Sequence, residues 1–151
     1  MENIEKINKN VAHKAVVAWD EGKKAFRCSF NKQIIEVATV PAQLQKHKEA
    51  WTPEELFLAS LKSFLKEAFV DYAKRNSFEF LSYESEAEGV IEKVGDKLMF
   101  TEIEIRPYIV VYSSSQIEKA KEFIRAAKED CFIFSSLAAM VMVYPEIQSQ
   151  R

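Results

Sequence analysis

A chain of 151 residues that is 48% apolar and carries a formal net charge of −2 is sized for one domain with a sizeable core, and offers no electrostatic case for binding nucleic acid or an anionic membrane. Its two cysteines, Cys28 and Cys131, are too few for a disulfide framework. No run approaches the roughly 18 apolar residues of a membrane span, and the polar, acidic start Met1–Lys6 is unlike a signal peptide, so the expected location is the cytoplasm.

Residues 1–11 are polar and aperiodic and are expected to form an N-terminal arm, with 12–151 as a single domain. Residues 13–20 predict a strand, Glu21-Gly22-Lys23 a turn, and 24–30 a second strand. Phe26, Cys28 and Phe30 share one face of that strand, and Ala25, Arg27 and Ser29 the other. Asn31-Lys32 makes a second turn and 34–38 a third strand, which completes an antiparallel meander. A polar connection over 41–50, including the short basic piece Lys46-His47-Lys48, leads into the longest helix.

That helix starts at Thr52-Pro53-Glu54-Glu55. Thr52 can cap it, Pro53 suits a first position whose N–H has no intrahelical partner, and Glu55 completes a capping box. Phe57, Leu61, Phe64, Leu65, Ala68 and Tyr72 recur as an apolar face, and Arg75-Asn76-Ser77 supplies the stop. Residues 78–94 and 98–111 predict two long strands, with Pro107 expected at an edge or a bulge. A two-residue turn would oppose Glu88 to Ile103. A three-residue Gly95-Asp96-Lys97 loop opposes Gly89 to Ile103, Ala87 to Ile105 and Glu86 to Arg106, keeping one face apolar and matching charges, and is preferred. Ser115, with Glu118, is the expected cap of a second helix whose face is Ile117, Ala120, Phe123, Ile124, Ala127 and Cys131. Phe132 to Phe134 are expected to leave it, and Ala139 to Tyr144 to form a last strand ended by Pro145. Strands, a long helix, a hairpin, a helix and a strand in that order define an α+β chain rather than an alternating one.

Trp51-Thr52-Pro53-Glu54-Glu55-Leu56-Phe57-Leu58-Ala59-Ser60-Leu61-Lys62-Ser63 resembles the start of the central helix in the OsmC/Ohr family of organic-hydroperoxide reductases. Glu79–Gly89 resembles the strand that follows it. Cys131, Ile133, Ser136 and Leu137 match the family's second-cysteine motif, while Asp130 stands where histidine is common, Phe134 replaces a serine and Ser135 an asparagine or arginine. The resemblance covers 12–146 and implies the OsmC-like fold in an intertwined homodimer. It also implies a chemistry in which one thiolate attacks the O–O bond, a second cysteine resolves the sulfenic acid, an arginine stabilises the thiolate, and a glutamate holds the arginine.

The departure that bears most on chemistry is at the peroxide-attacking cysteine, which corresponds to Phe64, a residue that has no thiol and fits a core side chain on the helix face. Glu54 matches the glutamate, as a retained arginine partner or simply a first-turn acid favoured by the helix dipole. The arginine has no match, since the surroundings of Arg27 differ from the family's arginine loop. Cys131 matches the resolving cysteine and is either a small buried hydrophobe, a stand-alone thiol or a partner for Cys28; mid-strand, Cys28 is itself read as a buried hydrophobe. His13 and His47 lie far apart, so no metal or other cofactor is expected. The expected function is an OsmC-like homodimer without peroxidase activity, with a cleft beside Phe64 open to a small apolar ligand. The alternative is a thiol-dependent hydroperoxide reductase using Cys131 or Cys28.

Overall fold

A computed structural model describes residues 12–20, 25–30, 33–37 and 50–150, in two units, Met1–Glu55 and Leu56–Arg151. In the first unit, β1 (Val16–Asp20), β2 (Ala25–Phe30) and β3 (Gln33–Val37) form the expected antiparallel meander, with Val17 opposite Cys28 and Cys28 opposite Ile35. Residues 13–15, expected in the first strand, stay outside it because the β1–β2 ladder starts at Val16 opposite Ser29. Trp51 then bridges Val37 in parallel, its N–H donating to the Glu36 carbonyl at 3.1 Å. The arm at 1–11, both meander turns, Lys24, Ala38, residues 41–49 and the side chains of Phe26, Cys28 and Phe30 lie outside the described residues.

The capping box forms as the local sequence demands. The Glu55 N–H donates to Thr52 Oγ1 at 3.1 Å and the Thr52 N–H to Glu55 Oε2 at 3.0 Å, which satisfies Thr52 although it is only 2% exposed. The helix α1 runs Pro53–Arg75. Its fully buried stripe is Leu61, Leu65, Phe69 and Ala73, whereas Phe57, Phe64, Ala68 and Tyr72 are half-buried. The expected face is therefore rotated toward the i, i+4 row that includes Phe69.

In the second unit β4 (Ser82–Val94) pairs antiparallel with β5 (Lys97–Val111), and β5 also pairs in parallel with β6 (Met140–Val143) and β7 (Glu146–Ser149). The preferred register holds: Gly89 faces Ile103, Ala87 faces Ile105 and Glu86 faces Arg106. The loop that was to produce it does not. Val94 pairs with Lys97 across a two-residue Gly95-Asp96 turn, Gly95 taking a φ of 61°, and the ladder shifts by one residue between Val90 (opposite Glu102) and Ile91 (opposite Phe100). A bulge at Thr101 thus supplies the residue assigned to the loop. The Arg106 charge meets Glu88 diagonally at 3.6 Å and its neighbour Glu104, not Glu86.

β5 is central in its sheet, but at Pro107 it has a local edge, as expected, on the side of the parallel strands. Ile105 and Val111 offer their carbonyls to Tyr144 and Gln150, so odd-numbered residues of this stretch face the parallel strands. Pro107 falls between the β6 pairing, which ends at Ile105, and the β7 pairing, which starts at Tyr108, so its missing N–H costs no ladder bond. The final strand is shorter than expected, and β7 beyond Pro145 was not anticipated.

The second helix, α2 (Ile117–Glu129), follows a single 3₁₀ turn at Ser114–Gln116. Its entry is set two residues earlier than Ser115 and Glu118: the Ser113 N–H donates to Gln116 Oε1 at 3.1 Å. Ala120, Phe123, Ile124 and Ala127 are buried as expected. Phe132–Phe134 leave α2 as expected, since it ends at Glu129, and Phe132–Ser135 then forms a separate four-residue helical turn, α3. Ile103, Ile105, Ile109 and Val111 alternate inward along β5 and share one core with the buried rows of α1 and α2.

Tyr83 is an exception within this packing: its Oη is buried and lacks a hydrogen-bond partner among the described residues. Burial pushes the phenol well above its ordinary range; the Ser85 hydroxyl pulls the other way but stays outside hydrogen-bond geometry. In the unfolded chain the phenol ionises near pH 10, while in the fold it keeps its proton, so its contribution to stability falls as pH rises above about 10. Tyr83→Phe is expected to raise stability by about 1 kcal/mol at neutral pH, since an orphan hydroxyl costs roughly 1–3 kcal/mol, and to flatten the alkaline loss. Urea unfolding at pH 7 and pH 10.5 checks both; a less stable variant would mean that the hydroxyl has a partner.

Candidate functional site

Packing of α1 against the segment after α2 brings Phe64 against the residue that follows Cys131, and leaves Glu54 apart in the first turn. The half-buried Phe64 ring meets Phe132 edge-on, centroids 4.6 Å apart at 83°, and Phe132 directly follows Cys131. Phe132 is 61% exposed, so this aromatic pair opens toward the surface instead of closing into the core. The Phe64 side chain, read from its spacing as a core side chain on the helix face, is half-buried.

Cys131 is 1% exposed and sits just before α3, its carbonyl accepting the Phe134 N–H at 3.1 Å. Burial raises the thiol pKa; nearby backbone N–H groups of Phe134 and Ile133 oppose this without cancelling it. A thiol so held is protonated at neutral pH, and only the thiolate is a strong nucleophile. Cys131 is a free thiol. The Cys28 side chain, and with it the Cys28–Cys131 pairing, lies outside the described residues. Glu54 stands exposed in the first turn of α1 and makes no ion pair among the described residues. Arg27 sits in β2 between Ala18 and Glu36.

One polar link escaped the sequence reading. The Tyr72 hydroxyl donates to Asp130, joining α1 to the residue before Cys131. That hydrogen bond, together with burial, raises the phenol pKa. The signal in the sequence was weak: a tyrosine on the apolar face of one helix and an acid at the end of another, far apart in the chain. Among the described residues no group of His, Cys, Asp and Glu is placed to hold a metal, and no helix is long and apolar enough to cross a membrane.

A three-stranded meander, a long capped helix, a hairpin whose second strand also carries two parallel strands, and a cysteine after the second helix together define an α+β protein. The profile of the family described as OsmC-like protein matches residues 46–145, and the chain belongs to that family. An OsmC-like protein of unknown function from Vibrio cholerae superposes with a TM-score of 0.79 at 23% identity, over 90% of this chain and 99% of that one. An organic hydroperoxide resistance protein from Elizabethkingia anophelis does so with a TM-score of 0.69 at 15% identity, over 94% and 100%. The organic hydroperoxide resistance protein OhrB of Bacillus subtilis gives a TM-score of 0.57 at 23% identity, over 89% and 98%. No curated protein sequence matches the chain.

Proposed function

We propose that this OsmC-like chain, related to hydroperoxide resistance proteins, does not reduce hydroperoxides, and that as a homodimer it uses the cleft beside Phe64 to hold a small apolar ligand. The observation that carries the proposal is the edge-on Phe64–Phe132 pair where the family resemblance puts the attacking thiol. A phenyl ring has no lone pair to offer an O–O bond. The Cys131 thiol, one residue before Phe132, is buried and held protonated, the reverse of the exposed, low-pKa setting a peroxidatic cysteine needs. An aromatic pair that remains open on one side suits a ligand without strong charge.

The direct test is consumption of cumene hydroperoxide with dithiothreitol as reductant, for the wild type beside Cys131→Ser and Cys28→Ser. The expected result is no turnover above the thiol blank in any of the three. Turnover that disappears in one serine variant overturns the proposal and identifies the nucleophile. The ligand half is tested with the neutral apolar dye N-phenyl-1-naphthylamine. Its fluorescence should rise on binding, and Phe132→Asp, at an exposed position, should weaken that binding. Equal binding by the variant would remove the cleft from consideration.

A further inference from the structure

We propose that the outer side of α2 forms a binding site for a small organic anion, a carboxylate or phosphate monoester carried on an apolar body, separate from the Phe64–Phe132 pair. A cavity of about 280 Å³ is lined by Lys121, Ile124, Arg125, Lys128, Val143 and Pro145. The sequence makes this rim by simple periodicity. At 3.6 residues per turn, positions 121, 125 and 128 fall within about 60° of arc, so their cations form one stripe beside the buried row. Ile124, from that buried row, supplies an apolar floor, and Val143 and Pro145 at the end of β6 supply an apolar wall.

The charge in the stripe is largely uncommitted. Lys121 pairs with Glu118 at 2.7 Å, but among the described residues neither Arg125 nor Lys128 makes an ion pair. The other acids nearby are turned to other partners: Glu122 pairs with Lys119, Asp130 accepts from Tyr72, and Glu146 accepts from Gln148. Glu129 follows Lys128 about 100° further round the helix. The carbonyl end of α2 opposes an anion with about half a charge, which the cations of Arg125 and Lys128 outweigh. Arg125 can bind a carboxylate or phosphate through two parallel N–H donors, and Lys128 adds a point charge. An inorganic ion would leave Ile124, Val143 and Pro145 unused. The volume lies near the lower end of ligand pockets, roughly 300–1,000 Å³, and fits a single ring or a short chain.

The test is titration of the intact chain with phenyl phosphate and, separately, benzoate, observed by calorimetry and by the methyl resonances of Ile124 and Val143. At least one of these anions should bind and move those methyls, and the response should weaken as salt is raised. The head group that binds distinguishes a phosphate ester from a carboxylate. Arg125→Gln with Lys128→Gln should reduce binding by about tenfold or more, at an unchanged melting temperature because Arg125 and Lys128 are exposed. Benzyl alcohol should not bind, and inorganic phosphate should bind at least about tenfold more weakly than its phenyl ester. Undiminished binding by the double variant, shifts confined to other methyls, equal binding of inorganic phosphate, or no binding of either organic anion at millimolar concentration would each overturn the site.

Discussion

Phe69→Ala is expected to cost about 3–5 kcal/mol, the largest stability loss of any substitution considered for this chain, because truncating a buried phenylalanine removes transfer energy and leaves a cavity. Phe69 is 0% exposed and centres the buried stripe of α1, its ring 5.2 Å from Phe80 and 5.4 Å from Tyr83. For a chain of this size the loss corresponds to a drop in melting temperature on the order of 10 °C. The neighbouring Tyr83 gives the experiment a second readout. The space left by Phe69→Ala lies beside the ring whose hydroxyl is orphaned, and a water admitted there could serve that hydroxyl. The alkaline destabilisation contributed by Tyr83 should therefore shrink in the Phe69→Ala background, and Tyr83→Phe should no longer stabilise. Unfolding is to be compared at one protein concentration, since association would add to apparent stability. A loss below about 1 kcal/mol would mean that Phe69 is not packed as described.

What was legible in the sequence was what depends on near neighbours. The capping box of Thr52 and Glu55 is a three-residue relation, and it forms as expected. The inward row of β5 follows from period two, and the buried face of α2 from period 3.6. The features missed depend on partners distant in the chain. Helical spacing alone leaves the centre of the α1 face open by one row, and the sheet beneath selects the row containing Phe69. Register was legible because burial of one face forces it, but a bulge and a longer turn place the same residues opposite each other, and the two differ only in the pairing beyond Val90. β7 is four residues after a proline, too short for a period, and exists because β5 extends past the end of β6 to receive it. The same division applies at the candidate site. Phe64 and Cys131 were identifiable individually, whereas the ring contact with Phe132 and the Tyr72–Asp130 link are products of α1 packing on the segment after α2.

That packing also bears on function. Placing a large ring where the resemblance puts a thiol does more than remove a nucleophile, because Phe132 meets it edge-on and Cys131, the residue before Phe132, is buried. Restoring a cysteine at position 64 by itself would leave Cys131 protonated and enclosed. The proposal of a lost peroxidase activity thus rests on two independent features, one chemical and one of access, and the assay of the wild type with its serine variants addresses both.

Gly89→Ala is expected to destabilise by about 2 kcal/mol, although replacing glycine by alanine in a strand ordinarily helps by about 0.4–1 kcal/mol through the unfolded chain. Close approach reverses the sign. A Cβ at Gly89 would lie 2.6 and 2.8 Å from two atoms of the Phe100 ring and 3.2 Å from a methyl of Leu58. The ring also packs against Phe57, centroids 5.0 Å apart, which limits how far it can swing away. The bulge at Thr101 sets this geometry: it moves Phe100 opposite Ile91 while Gly89 remains opposite Ile103, which brings the ring over the glycine. The sequence showed Gly89 as a residue of the preferred register and of the strand resemblance; its role is to let the start of α1 approach the hairpin. A double-mutant cycle with Phe100→Ala makes the argument specific. Gly89→Ala should cost about 2 kcal/mol in the wild type and close to nothing once the ring is removed, a coupling well above the roughly 0.5 kcal/mol expected of independent sites. Equal costs in both backgrounds would show that the ring does not lie over Gly89, and with it would fall the account of why the bulge and the glycine occur together.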